Sequence, residues 1–264
     1  MSASGLLRTE VVHRYVFELR YEFGQTYWDR AGRTCRDICS SESWDQGPVT
    51  GDGCRLTQPE QNLVFNFGPK KLDLVQSQSV EIQALLPHAT FATIAENLSA
   101  TVIRRLEVES FPRIGFRAWH LYPTRDREES HQHIQRLSLS DSLMRVATGL
   151  GKSFEVSHSV VIERPRHLLR VSVAPFEQQV ELPQSVLRAS RQEARSLPRN
   201  QRQAMMDKLR AEKAIRSFPA FGIMLDIDAF VEDPPYPDGL SISDFIDGAV
   251  TDTQAVKQSM LQMI

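Results

Sequence analysis

Asp226-x-Asp228, within the stretch G-I-M-L-D-I-D-A-F from Gly222 to Phe230, is the carboxylate pair whose type and spacing best suit chemistry. Two carboxylates on one face of a strand can hold a hard cation such as Mg²⁺, because such ions prefer oxygen ligands. Phosphoryl transfer on that cation would need further acidic partners. The nearest ones, Glu232, Asp233 and Asp238, fall in or beside the proline-rich loop P-P-Y-P-D-G. Alternation accounts for the stretch more simply. Met224, Asp226, Asp228 and Phe230 share one face, and Ile223, Leu225, Ile227 and Ala229 form a buried one. A sheet strand is expected, with no metal assigned, and a metal-dependent nuclease or phosphodiesterase ranks third among the functional readings.

The other candidate constellations are weaker. His131-x-His133, preceded by Glu128 and Glu129, supplies two metal-ligating types, but residues two apart on a helix do not face each other. His88-Ala89-Thr90 has the H-x-T form of two-histidine phosphoesterases, and those enzymes need a second such motif. His158-Ser159-Val160 and His120-Leu121-Tyr122 do not provide it. Cys35, Cys39 and Cys54 are odd in number and lack a fourth zinc ligand, so reduced thiols are expected. No phosphate-binding glycine loop, nucleophile elbow or H-E-x-x-H motif occurs. No catalytic residue and no cofactor is assigned, and the enzyme question leans towards no.

Charge is more informative. A formal net charge of -2 gives no global attraction to nucleic acid or an anionic membrane. It hides segregation: nine basic residues lie between Arg188 and Arg216, and eight carboxylates with no Lys or Arg lie between Asp226 and Asp252. Arg199, Arg202 and Arg210 of the basic segment are candidate contacts. So are Arg113, Arg117 and Trp119, because Arg117 and Trp119 project from the same side of a strand and suit protein contact or base stacking.

Periodicity sets the elements that position these residues. Alternating apolar residues predict strands at 11–21, 62–67, 71–76, 114–122, 154–163, 167–175 and 222–231. Helical spacing predicts helices at 25–39, 91–106, 127–150, 184–217 and the C-terminus, and turn residues predict an exposed loop at 40–53. The fold class is α+β, a mostly antiparallel sheet covered by helices. The first six elements run β-α-β-β-α-β, the ferredoxin-like order. If the strand 114–122 is shared, two overlapping ferredoxin-like units result, 1–123 and 124–264. No residue-level repeat accompanies them, and one continuous domain over 1–264 is preferred. With no apolar run of about 20 residues and no leader-like N-terminus, a cytoplasmic protein without membrane contact is expected.

Three stretches, Y-V-F-E-L-R-Y at 15–21, F-P-R-I-G-F-R-A-W-H at 111–120 and M-L-D-I-D-A-F at 224–230, resemble in order and spacing an uncharacterised, sporadically distributed bacterial family of about this length. Its middle motif reads closer to G-L-R-Y, where this chain has Gly115-Phe116-Arg117-Ala118. The resemblance brings no catalytic residue. It implies an association with mobile genes such as defence or toxin–antitoxin modules. The resulting expectation is a non-catalytic protein-binding or accessory subunit, with nucleic-acid binding through the sheet or the basic helix as the alternative and the oligomeric state open.

Overall fold

The computed structural model describes residues 10–24, 26–41, 43–79, 84–138, 157–177 and 221–261. Within them, alternation has produced the sheet. In β1 (Val11–Arg20), Phe17 and Leu19 are fully buried while Arg20 is exposed. Its neighbours are β5 (Lys71–Ser77) and β6 (Arg113–Thr124), and β6 pairs in turn with β9 (Phe221–Glu232). The whole is a nine-stranded sheet of order β2-β3-β4-β5-β1-β6-β9-β8-β7. The remaining strands are β2 (Asp45–Val49), β3 (Cys54–Gln58), β4 (Leu63–Phe67), β7 (His158–Glu163) and β8 (Leu168–Glu177), and every pairing is antiparallel.

One face carries the core. Cross-strand partners Phe17, Phe116 and Ala229 lie in register, as do Tyr15, Ala118 and Ile227. Four helices supply the other half: α1 (Tyr27–Ser41), α2 (His88–Leu106), α3 (Arg127–Ser138) and α4 (Ile242–Leu261). Helical spacing selects their inward residues, Tyr27, Ala31, Cys35 and Ile38 on α1 and Phe91, Ala95, Leu98 and Val102 on α2. Ile134 of α3 and Ile242, Phe245, Ile246 and Ala249 of α4 join the same core. Tyr15, Phe91 and Phe116 form a ring cluster at its centre, with centroids 5.5, 5.6 and 6.2 Å apart. α2 lies between α1 and α4 and contacts both.

Two expectations are corrected. The stretch 40–53 is not simply a loop, because Asp45–Val49 forms β2 at the edge of the sheet, where Gly47 and Pro48 are tolerated. β3 was also missed, since Cys54 and Leu56 are too short a run to betray alternation. The second ferredoxin-like unit does not form. It would place β6 between β8 and β9, whereas β9 lies between β6 and β8. The hairpin at Gly68 joins β4 and β5 as expected. A Cβ there would lie 2.6 Å from the Asp52 carbonyl oxygen, so the close approach of the β2–β3 loop requires glycine. The segments 139–156 and 178–220 lie outside the described residues, and with them Arg199, Arg202, Arg210 and the predicted basic helix. Among the described residues no helix is long and apolar enough to cross a membrane.

Candidate functional site

Strand β6 sends alternate side chains to opposite faces, and each face carries a polar cluster. His120 follows Ile114, Phe116 and Ala118 onto the helix-packed face. There it lines a pocket of about 530 Å³, bounded by Val12 and Tyr15 of β1, Ala118 of β6, His88 at the start of α2, and one side of α4. The α4 residues Asp247, Val250, Thr251 and Gln254 fall at i, i+3, i+4 and i+7, so they share a helix face.

At His120 three ionisable groups meet, the other two lying behind the pocket lining. His120 Nδ1 lies 2.6 Å from Glu10 Oε1, and Lys257 Nζ lies 2.5 Å from the same oxygen. The His120, Lys257 and Glu10 side chains are only 4%, 6% and 16% exposed. A carboxylate only accepts, so Nδ1 carries the proton and donates it to Glu10. In the neutral ring Nε2 is then an acceptor. That atom is buried and has no hydrogen-bond partner among the described residues. Burial pushes His120 below the ordinary histidine value, and the Lys257 charge adds to this while Glu10 opposes it. Burial alone would push Glu10 up, but the bonds from His120 and Lys257 outweigh it and leave its carboxyl below the usual range. The cluster is therefore a carboxylate, an ammonium and a neutral imidazole whose tautomer is fixed. Nearby, burial and the Glu10 charge hold the Tyr122 phenol well above its ordinary value.

The opposite face holds Arg113, Arg117 and Trp119, together with Asp226 and Asp228 from β9. Arg113 donates to Glu18 at 3.0 Å and to Asp228 at 3.1 Å. Arg117 grips Asp226 with two nitrogens, Nε at 2.6 Å and Nη2 on the second oxygen. Arg170 of β8 approaches Asp228 at 4.0 Å, and Arg113 and Arg170 both stand over the Phe230 ring. Asp226 and Asp228 are thus guanidinium partners. Burial leaves Asp228 above the usual carboxylate value in spite of the three arginines. Trp119 lies between Arg14, 4.4 Å from its ring centroid, and Arg117, at 5.3 Å. A bulge between Val12 and Arg14 turns His13 to this face as well, stacked on Trp119. Arg113 is spent on two carboxylates, while the Arg117 and Arg170 side chains remain about half exposed, at 45% and 51%.

The remaining sequence candidates do not assemble a centre. His131 and His133 sit on α3, and the described residues contain no group of three His, Cys, Asp or Glu placed to hold a metal ion. Cys35 and Cys54 are buried free thiols, with the Tyr27 hydroxyl 3.5 Å from Cys54 Sγ, and Cys39 is partly exposed. His88 of the H-x-T motif pairs instead with Asp247 at 3.5 Å on the pocket rim.

The chain matches no family model, and no curated protein is significantly similar to it. The residues that sequence reasoning missed are Glu10, His120 and Lys257. A signal did exist for His120: one histidine at a period-two position on an otherwise apolar strand face. Its partners carried none, since Glu10 is 110 positions away and Lys257 stands on another element.

Proposed function

We propose that the protein binds a small molecule in the pocket between β1, β6, α2 and α4, with His120 as the contact that fixes its orientation. The observation that supports this is the pocket itself, about 530 Å³ and lined by His120, whose ring Glu10 holds in place through Nδ1. The pocket volume of about 530 Å³ falls in the range of small-ligand sites. The test is imidazole NMR on the full chain, titrated with small aromatic fragments. Movement of the His120 ring nitrogens, abolished by filling the pocket with Val250→Phe, supports the reading. Ring nitrogens unmoved by every fragment remove it.

A second reading, protein binding through the polar sheet face, draws on the half-exposed Arg117 guanidinium stacked on Trp119. Arginine and tryptophan are the residue types that dominate interface energetics. Nucleic-acid binding fits this face less well, because its cations are largely neutralised by Glu18, Asp226 and Asp228. A partner recovered from native extract by the wild-type chain and lost with Arg117→Glu plus Arg170→Glu supports protein binding. Equal recovery by both removes it.

A further inference from the structure

We infer that the outer edge of β7 pairs with the same strand of a second copy of this chain, joining two sheets into one across a two-fold axis at Val161. Among the described residues β7 is the last strand of the sheet and pairs with β8 alone. The hairpin between them decides which backbone groups are spent. Arg164 N donates to the His167 carbonyl oxygen at 3.0 Å, and hydrogen-bonded pairs alternate along an antiparallel ladder. Ile162 with Leu169 and Val160 with Val171 are therefore the next such pairs. Ser159, Val161 and Glu163 turn their N–H and C=O groups the other way, in the plane of the sheet. A row of such groups is a template for a further strand.

The two edges of the sheet differ in how they treat that template. β2, at the far edge, carries Pro48 and loses register with β3 between Gln46 and Val49, and both features discourage strand addition. β7, H-S-V-V-I-E, contains no Pro, Lys or Arg and keeps an unbroken register with β8. It also exposes apolar surface on both faces of the sheet, with Val160 at 41% and Val161 at 50%. The strand is its own complement. A two-fold axis perpendicular to the sheet keeps the helix-packed faces of both copies on one side, so each residue must meet one from the same face. Centring the axis on Val161 meets that condition and sets the outward-turned groups of Ser159, Val161 and Glu163 against Glu163, Val161 and Ser159 of the copy. Val161 then packs on Val161, and Val160 beside Ile162. Arg164 faces His158 of the copy, and Asp252 already neutralises it at 2.5 Å.

Sedimentation velocity of the full chain from about 2 to 500 µM tests this. A six-residue strand pair buries less than the roughly 1,200 Å² of a stable interface, so a reversible dimer with a dissociation constant on the order of 50 µM is expected. Val161→Pro removes only an outward N–H, and Val161→Lys sets two ammonium groups face to face. Each should weaken the dimer at least about tenfold while circular dichroism shows the fold retained. Register is read by cross-linking in a Cys39→Ser background, since Cys35 and Cys54 are buried. Two Val161→Cys chains would hold their Cα atoms about 5.5 Å apart, within disulfide range, and should link under mild oxidation. Val160→Cys chains, about 8 Å apart on the diagonal, should not. A dimer that survives both Val161→Pro and Val161→Lys, or that Val160→Cys links in preference to Val161→Cys, overturns the inference. So does a chain that stays monomeric throughout, which would leave this edge to a strand of another protein.

Discussion

Replacing Lys257 with methionine tests the buried cluster most directly. The Lys257 Nζ to Glu10 Oε1 distance of 2.5 Å corresponds to a gross attraction of about 7 kcal/mol at an effective dielectric of about 20. Burying each ion costs several kcal/mol, which offsets most of that attraction. Removing Lys257 leaves Glu10 buried with His120 as its remaining donor, so the expected loss is about 3 kcal/mol, at the low end for breaking a buried pair. Glu10→Gln, which strands Lys257 instead, should cost a similar amount. If the two groups interact as the geometry says, the double variant will be about 2 kcal/mol more stable than the sum of the single losses predicts. Urea titrations at pH 7.5, followed by far-ultraviolet circular dichroism, measure all four corners of the cycle. A coupling within about 0.5 kcal/mol of zero would refute the buried pair. The histidine provides a second readout. The Lys257 charge helps to hold His120 down, so Lys257→Met should raise its NMR titration midpoint, and a fall would contradict the arrangement.

Stability should decline on acidification from about pH 6.5. Burial lowers His13 to about 4 and pushes His120 and His167 down as well, so the unfolded chain takes up protons that the folded chain refuses. The loss begins as pH falls through the ordinary histidine value and is complete below the folded values. It amounts to at most about 1.4 kcal/mol per pH unit for each group, and denaturation midpoints for wild type and His120→Gln will show whether the variant has the shallower slope. On the polar face, Arg113→Met strips both Glu18 and Asp228 of a partner and should cost about 1–2 kcal/mol. Asp228→Asn should change stability by less than about 0.5 kcal/mol, because burial already disfavours that charge; the same titrations give the order of the two effects. Gly68→Ala should cost about 1–3 kcal/mol by forcing its Cβ against the Asp52 carbonyl oxygen, measured as a drop in urea midpoint.

What could be read in advance follows the range of each physical signal. Alternation is local, so β1, β4, β5, β6 and β9 were legible, and Asp226 and Asp228 fell on the side of β9 that alternation assigned them. Helical spacing located α2 and α4 for the same reason. β2 escaped because its residues are mostly exposed, and pairing with β3 is what makes it a strand. Strand order is not local at all. The insertion of β9 between β6 and β8 depends on pairing between distant segments, from Glu177 with Phe221 to Arg113 with Glu232, which element order alone cannot distinguish from a repeated unit. The candidate site has the same limitation. His120 could be assigned to the buried face, but its meaning depends on Glu10 and Lys257, which no spacing rule connects to it.

The inner stripe of α4 explains why that cluster reads as a site instead of a packing accident. From Ile242 through Phe245, Ile246 and Ala249 the stripe is apolar and buried, as core packing demands. It turns polar at Thr253 and Lys257, both still buried, in the stretch where the helix borders the pocket. Apolar residues of similar shape would serve stability there as well or better, since a buried ion pair recovers little more than its own desolvation cost. What the polar residues add is orientation. Lys257 helps keep Glu10 ionised, and Glu10 fixes the proton on His120 Nδ1. Stability alone does not call for that chain of dependence, whereas holding the His120 ring in one orientation at the pocket wall requires each link of it.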